Sequence, residues 1–365
     1  MKNKFIILLV LCSMTTVAQD CDKEKLKTLP GNWLPQPADE VLTGSPRPAA
    51  ADAAGAKNVF NQIGKLFQQH YKPVGADVYN YLTHNITPGS SVYGNWYIYT
   101  ISNFMFYCSN GKKARNSEGV SSAVHVNPNG LLNTKFSEIL VYNESGEVSS
   151  EVTNTCGFNS LSSKECKEKK LPDLSNGYHS FESGNDYYVW ITYEGKLPYR
   201  YVNRKEFLEK QVAISEAKLK ELNIFYSSKG WKEQFEMFPQ YKEKMLEDKK
   251  KHLVGYENPL QAYRQDMKKD AAWLNEIAVV KYVSIREPTT NAHQYSRYDF
   301  TTVDDPYMVV PIMPNPDYYN KKLPKWAPQL IVINVSRIDG VTPQNVRKVV
   351  EENTDFFKGL LVNNE

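Results

Sequence analysis

Tyr93-Gly94-Asn95-Trp96-Tyr97-Ile98-Tyr99-Thr100-Ile101, followed closely by Phe104-Met105-Phe106-Tyr107, is the stretch on which the fold turns. Aromatic and β-branched residues dominate it, and these side chains suit a pleated, half-buried surface. Successive side chains of a strand point to opposite faces, so Trp96, Tyr97 and Tyr99 are expected to divide between two sides of a sheet. Similar short runs lie on both sides of it, from about 76 to 200. Val120–Val126 ends at Asn127-Pro128-Asn129-Gly130, a turn signal. Glu138–Tyr142 meets a second turn at Glu144-Ser145-Gly146-Glu147, and Asp186–Tyr193 ends at Glu194-Gly195. Spacing of this kind predicts an antiparallel sheet, sandwich or barrel. Tyr188 and Trp190 on the last run join Trp96, Tyr97 and Tyr99 as candidate binding residues, because one face of such a strand is core and the other is available to stack on a ligand.

Upstream, Val59, Phe60, Ile63, Leu66, Phe67 and Tyr71 fall at helical spacing and predict an amphipathic helix over 57–71, stopped by Pro73. Residues 36–56 are rich in Pro and Ala and read as a loop or linker behind a short N-terminus. Downstream the period changes at Asn203-Arg204-Lys205-Glu206, a capping-box pattern. Leu208, Val212, Ser215, Leu219 and Leu222 then step by four and three. A second helical stretch covers about 229–253 with a break at Pro239, and Asn258-Pro259-Leu260-Gln261 reads as the start of a third. Ile277–Ile285 fits either a helix end or a strand. Residues 286–328 read as irregular, Gln329–Val335 as a buried strand, and Thr342-Pro343 as the start of a last helix to about Phe357.

The expected class is therefore α+β: an aromatic-rich antiparallel β-region followed by a charged helical hairpin or bundle and a short mixed C-terminal segment. The expected divisions are 1–18, 19–56, 57–200, 201–283 and 284–365.

The first division is a leader. Lys2 and Lys4 precede the apolar Phe5–Cys12, and small residues lead to Ala18, the three parts of a secretory signal cleaved after Ala18. The apolar run is too short to span a bilayer. No later segment approaches a membrane span, so the mature chain is expected to be soluble or attached to a surface only through other molecules, and the helical C-terminus favours the periplasm over the medium. The net charge is +3, and loss of Lys2 and Lys4 leaves +1, without the basic footprint of a nucleic-acid binder.

Four cysteines remain after the leader, and an exported chain allows them to pair. Of three connectivities, Cys156 with Cys166 is favoured by the short polar segment between them, which leaves Cys21 with Cys108.

Local catalytic signatures are missing. No His-Glu-x-x-His, phosphate loop, EF-hand or Gly-x-Ser-x-Gly elbow occurs, and no motif implies a cofactor. Ser109-x-x-Lys112 and Ser215-x-x-Lys218 lack the Ser-Asp-Asn and Lys-Thr-Gly companions of the penicillin-recognising serine enzymes. The strongest polar cluster is His179-x-x-Glu182-x-x-x-Asp186, whose imidazole and carboxylates are types that hold a metal or share a proton.

Gly31-Asn32-Trp33 resembles the Gly-x-Trp of lipocalin-like barrels. The chain as a whole, with its Val17-Ala18-Gln19 exit, resembles the uncharacterised exported proteins of Bacteroidetes-type bacteria; this resemblance implies export and no particular activity. Three functional readings follow. The favoured one is a non-catalytic cell-envelope protein that binds a glycan or another protein through its aromatic β-surface. The others are an exported hydrolase without a local motif, and a structural or assembly protein that acts through its helical region.

Overall fold

The computed structural model describes residues 21–35, 48–85, 94–116, 119–128, 139–142, 148–151, 176–183, 185–286, 294–305, 308–336 and 340–362. Along the chain come α1 (Lys23–Thr28), α2 (Ala50–His70), β1 (Ala76–Asn85), β2 (Trp96–Ser109), β3 (Lys112–Arg115), β4 (Val120–Val126), β5 (Ile139–Tyr142) and β6 (Val148–Glu151). Next are β7 (Tyr178–Ser183), β8 (Asp186–Ile191), β9 (Tyr199–Tyr201), α3 (Arg204–Ser227), α4 (Lys229–Met237), a 3-10 turn at Pro239–Tyr241, α5 (Lys242–Asp266) and α6 (Ala271–Asn275). The chain closes with β10 (Val280–Arg286), β11 (Gln294–Phe300), β12 (Met308–Pro314), β13 (Ile331–Ser336), α7 (Val341–Glu352) and α8 (Thr354–Leu360). The fold is α+β, with a strand-rich N-terminal half.

The first sheet runs β1-β2-β4-β13-β8-β7, with β3 extending the end of β2. Every pairing in it is antiparallel. One face is covered by helices. Phe60, Ile63 and Phe67 of α2, Val346 and Val350 of α7, and Phe357 of α8 form a single core with Val78, Leu82, Tyr97, Tyr99, Val124, Val189 and Ile333. Phe67 stacks on Tyr99 with ring centroids 5.9 Å apart and also meets Phe357 at 6.4 Å. The buried Tyr99 hydroxyl accepts a 2.8 Å hydrogen bond from the Asn80 amide, which satisfies a polar atom that would otherwise oppose burial.

The second sheet runs β11-β10-β12-β5-β6, and β9 also pairs with β12. Its β12–β5 pairing is parallel and the rest are antiparallel. Phe207 at the start of α3 packs with Val202, Ala278 and Val280 against Tyr298 and Phe300. The predicted capping box forms: the Glu206 N–H donates to Asn203 Oδ1 at 2.8 Å. Glu206 also holds Arg200 at 2.7 Å, and that guanidinium keeps its carboxyl below the usual range. A third cluster joins the two sheets: Trp190, Leu330 and Val332 meet Tyr199, Ile312, Tyr318 and Tyr319.

Asn127 fixes the base of the first sheet. It adopts φ 46°, a left-handed conformation that Asn tolerates better than most residues. Its buried amide donates to the Ala327 carbonyl at 2.8 Å and accepts from the N–H groups of Gln329 and Leu330 at 2.8 and 3.2 Å.

Several expectations change. The helix expected from residue 57 begins at Ala50, because the Ala-rich stretch 50–56 lacks proline and has high helix propensity. Pro259 lies inside α5 rather than opening a new helix; it is buried with Leu260 and Tyr263, and the Tyr263 hydroxyl accepts the N–H of Tyr298 on β11. The ambiguous run near 280 is strand β10, and the region read as irregular holds β11 and β12. Among the described residues the Gly31-Asn32-Trp33 resemblance does not lead to a closed barrel. This segment instead straps the edge of β1, with bridges at Pro30–Val74 and Trp33–Val78. A Cβ on Gly31 would lie 1.6 Å from the Ala76 carbonyl oxygen, so glycine is required for the approach.

Candidate functional site

The register of the first sheet sorts its side chains into two faces. Tyr97 and Tyr99 point to the helix-covered face. Trp96, Tyr188 and Trp190 lie on the opposite face, as alternation requires. Tyr97, Tyr99, Tyr188 and Trp190 are buried, and Trp96 is half-buried. A ligand cannot stack on a ring enclosed by protein, so of these five aromatic candidates only Trp96 is placed to meet one. Trp190 is enclosed because the inter-sheet cluster covers that end of the face.

The rest of this face is less covered. One row across the strands reads Thr83, Ile98, His125, Val332, Trp190, His179. The next reads Tyr81, Thr100, Ala123, Asn334, Tyr188. Tyr79 and Tyr81 lie two residues apart on β1, with ring centroids 5.9 Å apart, and both are half-buried. Trp96 sits against His125 at 5.9 Å, and its indole N–H donates to Nδ1 at 3.3 Å. That bond requires a neutral imidazole with its proton on Nε2. Burial pushes the His125 ring down to about 4, so the neutral form is the one present near pH 7. At the other end the Tyr188 hydroxyl donates to Asp186 at 3.3 Å; burial first, and the Asp186 charge second, push the phenol up to about 12.

The sheet takes the proposed metal trio apart. His179 and Asp186 fall on the open face, four residue positions apart along the β7–β8 hairpin. Glu182, three residues from His179, points to the other face and pairs with Arg347 of α7. An odd separation along a strand always gives opposite faces. Among the described residues no group of three or more His, Cys, Asp or Glu is arranged to hold a metal ion. Ser109 and Lys112 are paired residues flanking the Asn110-Gly111 turn, and Ser215 is buried in α3.

Cys21 and Cys108 form a disulfide, with Cα atoms 5.6 Å apart. Cys156 and Cys166 lie outside the described residues. Tyr79 and Tyr81 are the residues of this face that a residue-type search passes over. Their signal is the alternation of 76–85, where Val78, Asn80, Leu82 and His84 face the helices while Tyr79, Tyr81 and Thr83 face away.

No protein-family model matches the chain, and neither the curated proteins nor the solved structures give a match. Among the described residues no helix is long and apolar enough to cross a membrane.

Proposed function

We propose that this is an exported, non-catalytic binding protein of the cell envelope, whose ligand is a glycan held against the open face of the first sheet. The observation that carries this reading is the half-buried Trp96 ring, oriented by its bond to neutral His125 and flanked by Ile98 and Thr83, with Tyr81 and Tyr79 further along β1. A rigid indole offers an apolar face to a sugar ring, while Thr83 and Asn334 offer hydroxyl and amide partners to sugar hydroxyls. The charged leader with small residues before Gln19 supports export and cleavage after Ala18, and a periplasmic location belongs to the same proposal. The Cys21–Cys108 disulfide is compatible with an oxidising compartment, and a Cys156–Cys166 disulfide belongs to the same reading.

The test is titration of the mature chain with a panel of soluble neutral and amino-sugar oligosaccharides, followed by tryptophan fluorescence. A saturable change that Trp96→Ala abolishes supports the reading. Saturable binding that survives Trp96→Ala moves the site elsewhere, and a silent panel removes the glycan from the proposal.

A further inference from the structure

The open face of the first sheet holds one hydrogen-bond donor whose identity is set before any ligand arrives. The Trp96 indole N–H donates to His125 Nδ1 at 3.3 Å. Nδ1 therefore carries no proton, and the proton of the neutral ring sits on Nε2. No group among the described residues accepts from that nitrogen, and it is not sealed from solvent, unlike the enclosed ring nitrogens of His84. His125 itself is half-buried. In this tautomer it offers a ligand a donor and no acceptor.

The neighbours add no acceptor. Across the strands His125 is paired with Ile98 on β2 and Val332 on β13, side chains about 5 Å away on either flank. Val332 is buried in the cluster that joins the two sheets, so this flank is the foot of an apolar wall. Along β4 the preceding side chain on the face is Ala123. Asn127 follows beyond the end of the strand, and its Oδ1 is occupied by the N–H groups of Gln329 and Leu330. The Trp96 N–H is engaged by Nδ1, which leaves the ring face of the indole. None of these neighbours is charged.

Each class of sugar substituent meets this spot differently. A hydroxyl can accept the Nε2–H, but its own hydrogen then lies among aliphatic side chains without an acceptor, and a donor left unpaired in that way is unfavourable. A carboxylate has acceptors only, yet it would lose water against Ile98 and Val332 with no cation beside it. The carbonyl of an acyl amide has acceptors only and no charge, and it brings a methyl group that aliphatic neighbours can cover. We propose that His125 is the specificity-determining residue of this face, its Nε2–H donating to the acetamido carbonyl of an N-acetylated sugar whose methyl group packs on Ile98. The inference rests on the glycan reading above and narrows it to N-acetyl amino sugars. Trp96 then serves twice, as the platform for the sugar ring and as the group that sets the tautomer of the imidazole.

Calorimetric titration of the full mature chain with the tetramer of N-acetylglucosamine and with cellotetraose tests this. The two ligands share ring and linkage and differ in carrying an acetamido group or a hydroxyl at the same carbon. The acetamido ligand is expected to bind about tenfold tighter or more, the effect of one unpaired donor. His125→Met, which fills the space without a donor, should shrink that ratio to below about threefold, while His125→Gln keeps an amide N–H and should retain more of it. Circular dichroism checks that both variants fold. Nitrogen–proton NMR of the imidazole needs no substitution: it should show a bare Nδ1 and a protonated Nε2 in the free protein, with the Nε2 proton exchanging more slowly with solvent only when the acetamido ligand is bound. A protonated Nδ1, or a preference that survives His125→Met, overturns the inference. Equal affinities that Trp96→Ala abolishes overturn it and leave the glycan reading standing, whereas silence of both tetramers and of the wider panel removes the two together.

Discussion

Lowering the pH from 7 to 4 should destabilise this protein through His125. The ring is neutral in the folded state because burial holds it at about 4, whereas the same ring in an unfolded chain titrates near its ordinary 6.5. Well above pH 6.5 neither state is protonated and the group contributes nothing. As the pH falls through 6.5 the unfolded chain takes up a proton that the folded protein refuses, and stability is lost progressively. The loss is complete below about 4, where both states carry the proton. The difference of about 2.5 pKa units corresponds to about 3 kcal/mol. His84 acts in the same direction: burial lowers it, the nearby Asp52 charge only partly offsetting this, and neither ring nitrogen has a partner among the described residues. Urea unfolding at a series of pH values between 7 and 4, read by circular dichroism and fluorescence, measures the sum. His125→Gln keeps an acceptor for the Trp96 indole but cannot be charged, so it should lose about 3 kcal/mol less than the wild type over the same interval. Equal losses in the two proteins would refute the reasoning. So would a His125 ring proton that titrates near 6.5 by NMR.

Three further outcomes are expected. Reducing the Cys21–Cys108 bond, which closes a loop with a sequence separation of 87, should cost up to about 4.6 kcal/mol of stability by the loop-entropy argument, seen as a lower urea midpoint with dithiothreitol. Asn127→Ala strands the N–H groups of Gln329 and Leu330 and the Ala327 carbonyl, and thermal unfolding should show a loss of about 3 kcal/mol. Phe67→Ala opens a void between Tyr99 and Phe357 and should lower stability by about 3–5 kcal/mol, with the far-UV spectrum retained.

The legible parts of the sequence were those with a strong local period. Alternation along 96–101 separated Trp96 from Tyr97 and Tyr99, and the capping box marked the start of α3 to the residue. β11 and β12 escaped for physical reasons. Gln294–Phe300 alternates one polar-aromatic set with another, and Pro311 and Pro314 disguise a strand whose register does not need their missing N–H groups. The cluster of His179, Glu182 and Asp186 misled because proximity in sequence is not proximity on a pleated sheet. The face that carries Trp96 was only half visible. Its second strand, β1, holds Tyr79 and Tyr81 beside a turn-and-helix segment, and their company with Trp96 is a fact of register between strands rather than of spacing within one.

The position of β13 has a consequence for how the molecule comes into being. It lies between β4 and β8, and Asn127 at the end of β4 is tied to Ala327 across a sequence separation of 200. Until residues 327–336 have emerged, β4 and β8 are two bare edges, each with a row of unpaired amides and carbonyls. A chain synthesised amino end first holds these edges open until residues 327–336 follow, and a product cut short before residue 331 would keep them permanently. Pairing of β13 thus requires the chain to be present at least through residue 336, and any shorter product keeps two unpaired edges of the kind that invites aggregation.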